Sequence, residues 1–590
     1  MKFRTLKNWP DLVGSEGLIF FSQLFEELLF NYSLDTYKPS AMNTPMLCVE
    51  ALKLVKNIEE GFIDKSNLSH VLDELLQNLS KDEVAKALLS LDIHTISRKF
   101  NNPAIPILEI ATILELIFGQ IKPSKYKAKT EQLLLDAITN PNQKNRIRAL
   151  TRSYTTTLIN LGYSTDFLYP TARMYFHLSP NKISCPKGLQ GFIDIVSAKP
   201  QEYIAIFKVN ALFDEINDSC EVFHVQALKA LPKDVVDLVK IRSFVLGKDE
   251  IFLVLKDIQA MDVFSARSSA ERRIEQIATL YSLFHHKEVA AWNRSALLIN
   301  LETGKNRIVP ASHNPMLMCA DSKREDVAIK LSGFIKNFSL ERNSFEKFNR
   351  SAELHSLALR SDSPENQLLN LWVALETIVP SKAAQVAKAK INNIIDSVLP
   401  FLSLTYVESL TDRLVADFSI WNRRFFNSAI EGVEGDNDRD RMLRLLILDD
   451  FKDRKNRLFS DLRDFHLLRN RAYYFSEELA SPSKILKMLN AHWQRVDWQI
   501  RRIYRTRNLI VHAGDTPLYT GILIKNTHDY LDIVLKTIGK LASEDSKVNT
   551  IDGAFKYVEL RYQEYKELLS SQNGKVTEAN IMQLLIRTEI

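Results

Sequence analysis

Apolar residues at helical spacing recur along most of this 590-residue chain, and that period restricts it to a largely helical fold. Leu18, Phe21, Leu24, Phe25 and Leu28 make one stripe, and Leu52, Val55 and Ile58 make another. Leu368, Leu371, Trp372, Leu375, Ile378 and Val379 make a third. It follows Ser363-Pro364-Glu365, a serine cap with proline in the first turn. Residues 1–180 read as a helical N-terminal domain. Within it, Ser66 opens one helix, Ser80 and Glu83 form a capping box, and an apolar helix covers 105–121. No fixed-period self-similarity marks a named repeat.

The period changes near residues 179–181. Segments 191–196, 202–208, 220–225 and 250–255 read as strands, 233–245 and 268–286 as helices, and 296–309 as a hairpin around Gly304. Residues 181–340 are therefore expected to form a central α/β domain. Helical patterns return from 341. They cover 383–399, 405–419, 438–448 and 457–475, then a short helix at 484–489 and a long one ending at Gly514. Residues 341–545 read as an all-α bundle and 546–590 as a helical extension with the stripe Phe555, Val558, Tyr562 and Tyr565. The predicted class is mainly α, with an N-terminal helical domain, a central α/β domain and a C-terminal helical bundle.

Several function classes are excluded or disfavoured. A net charge of +5 is too small to imply nucleic-acid binding by itself. Cys48, Cys185, Cys220 and Cys319 are far apart and fit neither a zinc ribbon nor a disulfide scaffold. The run from Leu18 to Phe30 is interrupted by Gln23, Glu26 and Glu27, and the first residues lack the apolar core of a signal peptide. A cytoplasmic protein is expected. Neither G-x-x-x-x-G-K-[ST] nor G-x-G-x-x-G occurs, so nucleotide hydrolysis is unsupported. Asp194, Glu202 and Lys208 lack the close Glu-x-Lys spacing of restriction-type nucleases and read as solvated strand charges. His285, His286 and His313 stand apart from other ligand types, so neither a metal nor a cofactor is expected.

Chemistry concentrates at the helix end Arg501–Gly514. Gly514 suits a left-handed C′ residue, and Pro517 prevents a restart. Asn508 and His512 are four apart and share a face, and Arg505, three before Asn508, joins it. Arg507 lies about 100° round from Asn508, within reach of a long guanidinium. An imidazole can move a proton near neutral pH, a guanidinium can hold phosphate oxygens, and an amide can orient either. Similar Arg/His spacing at Arg307/His313 and Arg350/His355 lacks this context.

Charge gathers nearby. Residues 491–507 carry Arg495, Arg501, Arg502, Arg505 and Arg507 against Asp497. Residues 451–471 carry seven Lys and Arg, Arg469 and Arg471 among them, against three Asp. Tyr473, Tyr474, Trp493, Trp498 and Tyr504 are interleaved, a mixture that suits single-stranded RNA. Such runs also form ordinary solvated faces. The neighbouring Arg/Asn/His group favours RNA, with Arg501, Arg502, Arg469 and Arg471 as contacts.

The stretch Arg501–Gly514 resembles the signature helix of HEPN domains of the Apea-like branch, and Leu371-Trp372-Val373-Ala374-Leu375-Glu376 resembles that branch's first-helix motif. The resemblance covers roughly residues 340–545. It implies a metal-independent endoribonuclease that leaves 2′,3′-cyclic phosphate and 5′-hydroxyl ends. His512 would transfer protons, Arg507 stabilise the phosphate and Asn508 orient, with Tyr504 and Arg505 in support. Glu376 is either a surface charge or the partner of a signature arginine. Such chemistry uses a base and an acid, and each chain supplies one signature histidine, so a homodimer or higher even oligomer is expected. The branch is associated with bacterial antiviral defence and toxins, which implies that residues 1–340 sense a phage-derived trigger or restrain the nuclease. A non-catalytic HEPN module that binds RNA or a partner is the alternative.

Overall fold

A computed structural model describes the chain except residues 1–3, 5, 7–8, 10–13, 31–37, 62–64, 180–182, 184–187, 197–198, 232–234, 236–243, 319–322, 381–386, 544–547 and 587–590. The protein is mainly helical, with a small antiparallel sheet in the middle of the chain. Two compact units form. One joins Met1–Lys7, Asp11–Ser153 and Asn314–Ile590, and the other joins Asn8–Pro10 and Tyr154–His313.

This grouping differs from the four consecutive segments expected. Residues up to 153 fold with the C-terminal half, and the expected boundaries at 341 and 546 fall inside that unit. The cause is burial. The Glu16–Leu29 helix is buried on every side, so its surroundings must come from elsewhere in the chain. Gln23 shows where: its amide donates to the Asp464 carbonyl at 2.8 Å and accepts from the Leu467 N–H at 3.0 Å.

The second unit is built on a sheet ordered β2-β3-β1-β4-β5, with β1 Gln201–Asn210, β2 Val225–Leu228, β3 Glu250–Ala260, β4 Ala296–Asn300 and β5 Asn306–Val309. Central β1 alternates strictly. Tyr203, Ala205, Phe207 and Val209 enter one core, together with residues of the Val263–Ser282 helix, while Ile204 and Ile206 enter the other. Asp262 caps that helix, accepting from the N–H groups of Phe264 and Ser265 at 2.8 and 3.0 Å. The hairpin turns where Gly304 takes φ +63°.

Two of the expected strands are corrected. Residues 191–195 belong to the Gly188–Ile195 helix and Val196 to the turn after it, because Leu189, Phe192 and Ile193 bury one helical face. A short apolar run does not by its period distinguish strand from helix. Cys220 lies on the Asn217–Glu221 helix, and the strand starts at Val225. The expected helix at 233–245 falls mostly outside the described residues.

In the first unit, the expected helix over 457–475 is two helices, Lys452–Asp461 and His466–Glu478, with Arg463 between them at φ +31°. The 405–419 helix extends over Tyr406–Ile430, across a non-helical Asn422. Ser80 ends one helix, and Asp82, not Ser80, caps the next by accepting from Val84 and Ala85. No single helix among the described residues is long and apolar enough to cross a membrane, although the bent pair Lys390–Leu404 and Tyr406–Ile430 passes on length and composition. Cys48 and Cys220 are buried free thiols, and Cys185 and Cys319 lie outside the described residues.

Candidate functional site

One continuous helix, Pro482–Ala513, carries the whole Arg/Asn/His group. Ser481 caps its start, accepting from the Lys484 N–H, and Pro482 opens its first turn. It ends where Gly514 adopts φ +63° and donates its N–H to the Ile510 carbonyl at 3.2 Å. The expected short helix at 484–489 is its first part.

At the end of this helix, Arg507 Nη1 donates to Asn508 Oδ1 at 3.0 Å. The guanidinium therefore swings onto the face that Asn508 shares with His512. Arg507 Nε is buried and has no hydrogen-bond partner. His512 is exposed, and among the described residues it makes no hydrogen bond or ion pair. Val511 beside it is 48% exposed. An amide-held guanidinium thus stands about one turn from an open imidazole.

The other arginines of the helix face inward. Arg502 and Arg505 are buried against the Thr44–Glu59 and Ser66–Leu79 helices. Glu50 divides its oxygens between them. Oε2 accepts from Arg502 Nε and Nη2 at 3.1 and 3.0 Å, and Oε1 accepts from Arg505 Nε and Nη2 at 3.1 and 2.7 Å. Glu74 Oε2 accepts from Arg502 Nη2 at 2.5 Å. Burial alone would push the Glu50 carboxyl up, but Arg502 and Arg505 outweigh it and hold the group below the usual carboxylate range. At Glu74 burial wins over Arg502 and the carboxyl is raised, with Glu50 adding to the rise.

Arg502 is therefore not an RNA contact as expected, and Arg505 does not join the Asn508 face. A desolvated guanidinium must keep a counter-charge, and Glu50 supplies it. Sequence reasoning missed Glu50 and Glu74. The available signal was that Glu50 stands on the stripe Leu47, Ala51 and Leu54, a carboxylate at a core position of its helix.

The remaining expected residues divide similarly. Arg471 is buried, with Nη1 at 3.2 Å from Asp417 and 3.4 Å from Glu27, so it too is not an RNA contact. Arg501 donates to Asp497 at 3.0 Å and to Asn392 at 3.1 Å. Arg469 Nη2 meets His466 Nδ1 at 2.9 Å. Glu376 pairs with Lys390 at 3.2 Å instead of a signature arginine. The first-helix motif does reach the signature helix through rings, with Trp372 and Tyr504 centroids 5.6 Å apart.

A cavity of about 60 Å³ lies between the Thr44–Glu59 helix and the end of the signature helix. Met46, Leu54, Arg505, Leu509 and Tyr519 line it, whereas Arg507, Asn508 and His512 do not. Lys53 and Asp515 pair at 3.1 Å beside the helix terminus. The group of His, Cys, Asp or Glu at metal-ligand spacing among the described residues is His355, His528 and Asp532, on two other helices. Asp194 lies on a helix, away from any strand pairing with Glu202 or Lys208.

No family model, curated protein or solved structure matches this chain.

Proposed function

We propose that the chain is an endoribonuclease of HEPN type, working without a metal at Arg507, Asn508 and His512. The contact between Arg507 and Asn508, one turn from an exposed His512, carries this reading. A base removes the proton of a ribose 2′-hydroxyl, and the 2′-oxygen attacks the adjacent phosphorus. The bond from phosphorus to the 5′-oxygen breaks, and an acid protonates that oxygen. The products are a 2′,3′-cyclic phosphate and a 5′-hydroxyl. His512 serves as base or acid, Arg507 stabilises the charge on the phosphoryl oxygens, and Asn508 holds the guanidinium in place.

One chain offers one such imidazole. A two-fold dimer with two signature helices facing each other supplies base and acid together, and exposed Val511 and Leu518 provide apolar area beside the site. RNA contact rests on Arg501, Arg469 and exposed Tyr473, because Arg502 and Arg471 are committed inside the fold. We place the activity in the cytoplasm, as a toxin or antiviral effector whose N-terminal helices restrain or sense. The deciding experiment is a gel assay of the purified protein on total RNA, with wild type beside His512→Ala. Cleavage by wild type alone supports the nuclease. RNA retention without cleavage by either protein supports the binding module.

A further inference from the structure

Three ligand-bearing side chains meet on helices outside the Arg507 site. His355 comes from the Arg342–Arg360 helix, and His528 and Asp532, one turn apart, come from the Thr520–Ser543 helix. One donor atom of each lies within 4.8 Å of the other two. Asp532 Oδ1 stands 3.4 Å from His355 Nε2 and 3.7 Å from His528 Nε2. The imidazole centroids are 4.9 Å apart, with the planes tilted by 36°.

These spacings are informative. A hydrogen bond between imidazole and carboxylate would draw the atoms to about 2.7–3.2 Å. A tetrahedral ion with bonds of about 2.0–2.2 Å holds its donors about 3.3–3.6 Å apart. The two measured separations lie near the second value and outside the first. His355 Nε2 is buried and has no hydrogen-bond partner, an unusual condition for a ring nitrogen. His528 is 4% exposed. The second carboxylate oxygen, Oδ2, accepts from Lys536 Nζ at 2.7 Å, which fixes the carboxylate and leaves Oδ1 towards the rings.

We propose that His355, His528 and Asp532 form a binding site for a first-row divalent cation, with zinc the best match to two imidazoles and one carboxylate. Three protein donors leave a fourth position for water. The ion ties the Arg342–Arg360 helix to the Thr520–Ser543 helix. None of Arg507, Asn508 or His512 takes part, so the site stands or falls independently of the ribonuclease reading.

The test uses the full chain, stripped with EDTA, passed through metal-free buffer and incubated with zinc or cobalt(II). Wild type is expected to retain one zinc per chain after dialysis, to gain the visible absorption of a four-coordinate cobalt site, and to melt at a higher temperature with zinc. His528→Ala and His355→Gln are expected to lose the retained zinc and the cobalt band, while His512→Ala keeps both. The cobalt spectrum of wild type needs no variant to fold. No retained zinc and no cobalt band in wild type would overturn the site, as would full retention in folded His528→Ala or loss in His512→Ala.

Discussion

Glu50 Oε1 lies 2.7 Å from Arg505 Nη2, and through this contact the Thr44–Glu59 helix grips the helix that carries the candidate site. Arg505 and Arg507 are two residues apart, about 200° round the helix. One faces Glu50 in the interior, and the other lies over Asn508 at the surface. The chemistry proposed for Arg507 therefore depends on a counter-charge supplied more than 450 residues earlier.

Glu50→Ala removes the shared acceptor, leaving Arg502 with Glu74 and Gln499 and taking from Arg505 the carboxylate it donates to. Breaking a buried pair in this way costs about 3–5 kcal/mol. Denaturant unfolding is expected to show a loss of that order. A loss below about 1 kcal/mol would mean that water or a rearranged carboxylate replaces Glu50.

His512→Ala and Arg507→Ala are each expected to reduce RNA cleavage to background. His512 is exposed, so its replacement should change stability by no more than about 0.5 kcal/mol. Arg350→Ala is the control, since Arg350 pairs with Glu353 on the surface. Full cleavage by both site variants would remove the catalytic assignment.

Acid is expected to destabilise the fold partly through His466. Burial, with Arg469 and Lys144, pushes this imidazole down to about 3. An unfolded histidine titrates near about 6.5, so between these values the unfolded chain binds the extra proton. Stability therefore falls as pH drops from about 6.5 towards 3, and the loss from this group is complete below its folded value. Thermal melts across that range should show a shallower acid limb for His466→Gln than for wild type. Parallel limbs would assign the acid sensitivity to other groups.

Cleavage is expected to persist in EDTA at a temperature where the stripped chain stays folded, because the proposed steps use only an imidazole and a guanidinium. Loss on chelation, restored by magnesium or manganese, would move the chemistry to a carboxylate site. Zinc-dependent changes in melting alone would be read through His355, His528 and Asp532.

The active species is expected to be an even-numbered oligomer. Light scattering of a cleaving sample should give a multiple of twice 67.7 kDa. A cleaving monomer would rule out the composite site.

Local patterns determined much of this protein. The period of the apolar stripes marked most of the helices, Ser363-Pro364 and Gly514 marked two helix termini, and a short apolar run with aromatic and β-branched residues marked β1. These features are legible because a cap, a turn or a stripe depends on residues within one or two turns of each other. Only the tertiary structure decided which arginines are available. Arg502, Arg505 and Arg471 look in sequence like surface charge beside Arg501, Arg507 and Arg469. Their fate depends on Glu50, Glu74, Glu27 and Asp417, carboxylates brought from distant helices when apolar faces pack. The same holds for His355, which lay on a helix in sequence and acquired His528 and Asp532 only by packing. A long charged side chain turns to whatever counter-charge the fold desolvates beside it, and its own neighbours in the chain do not encode that choice.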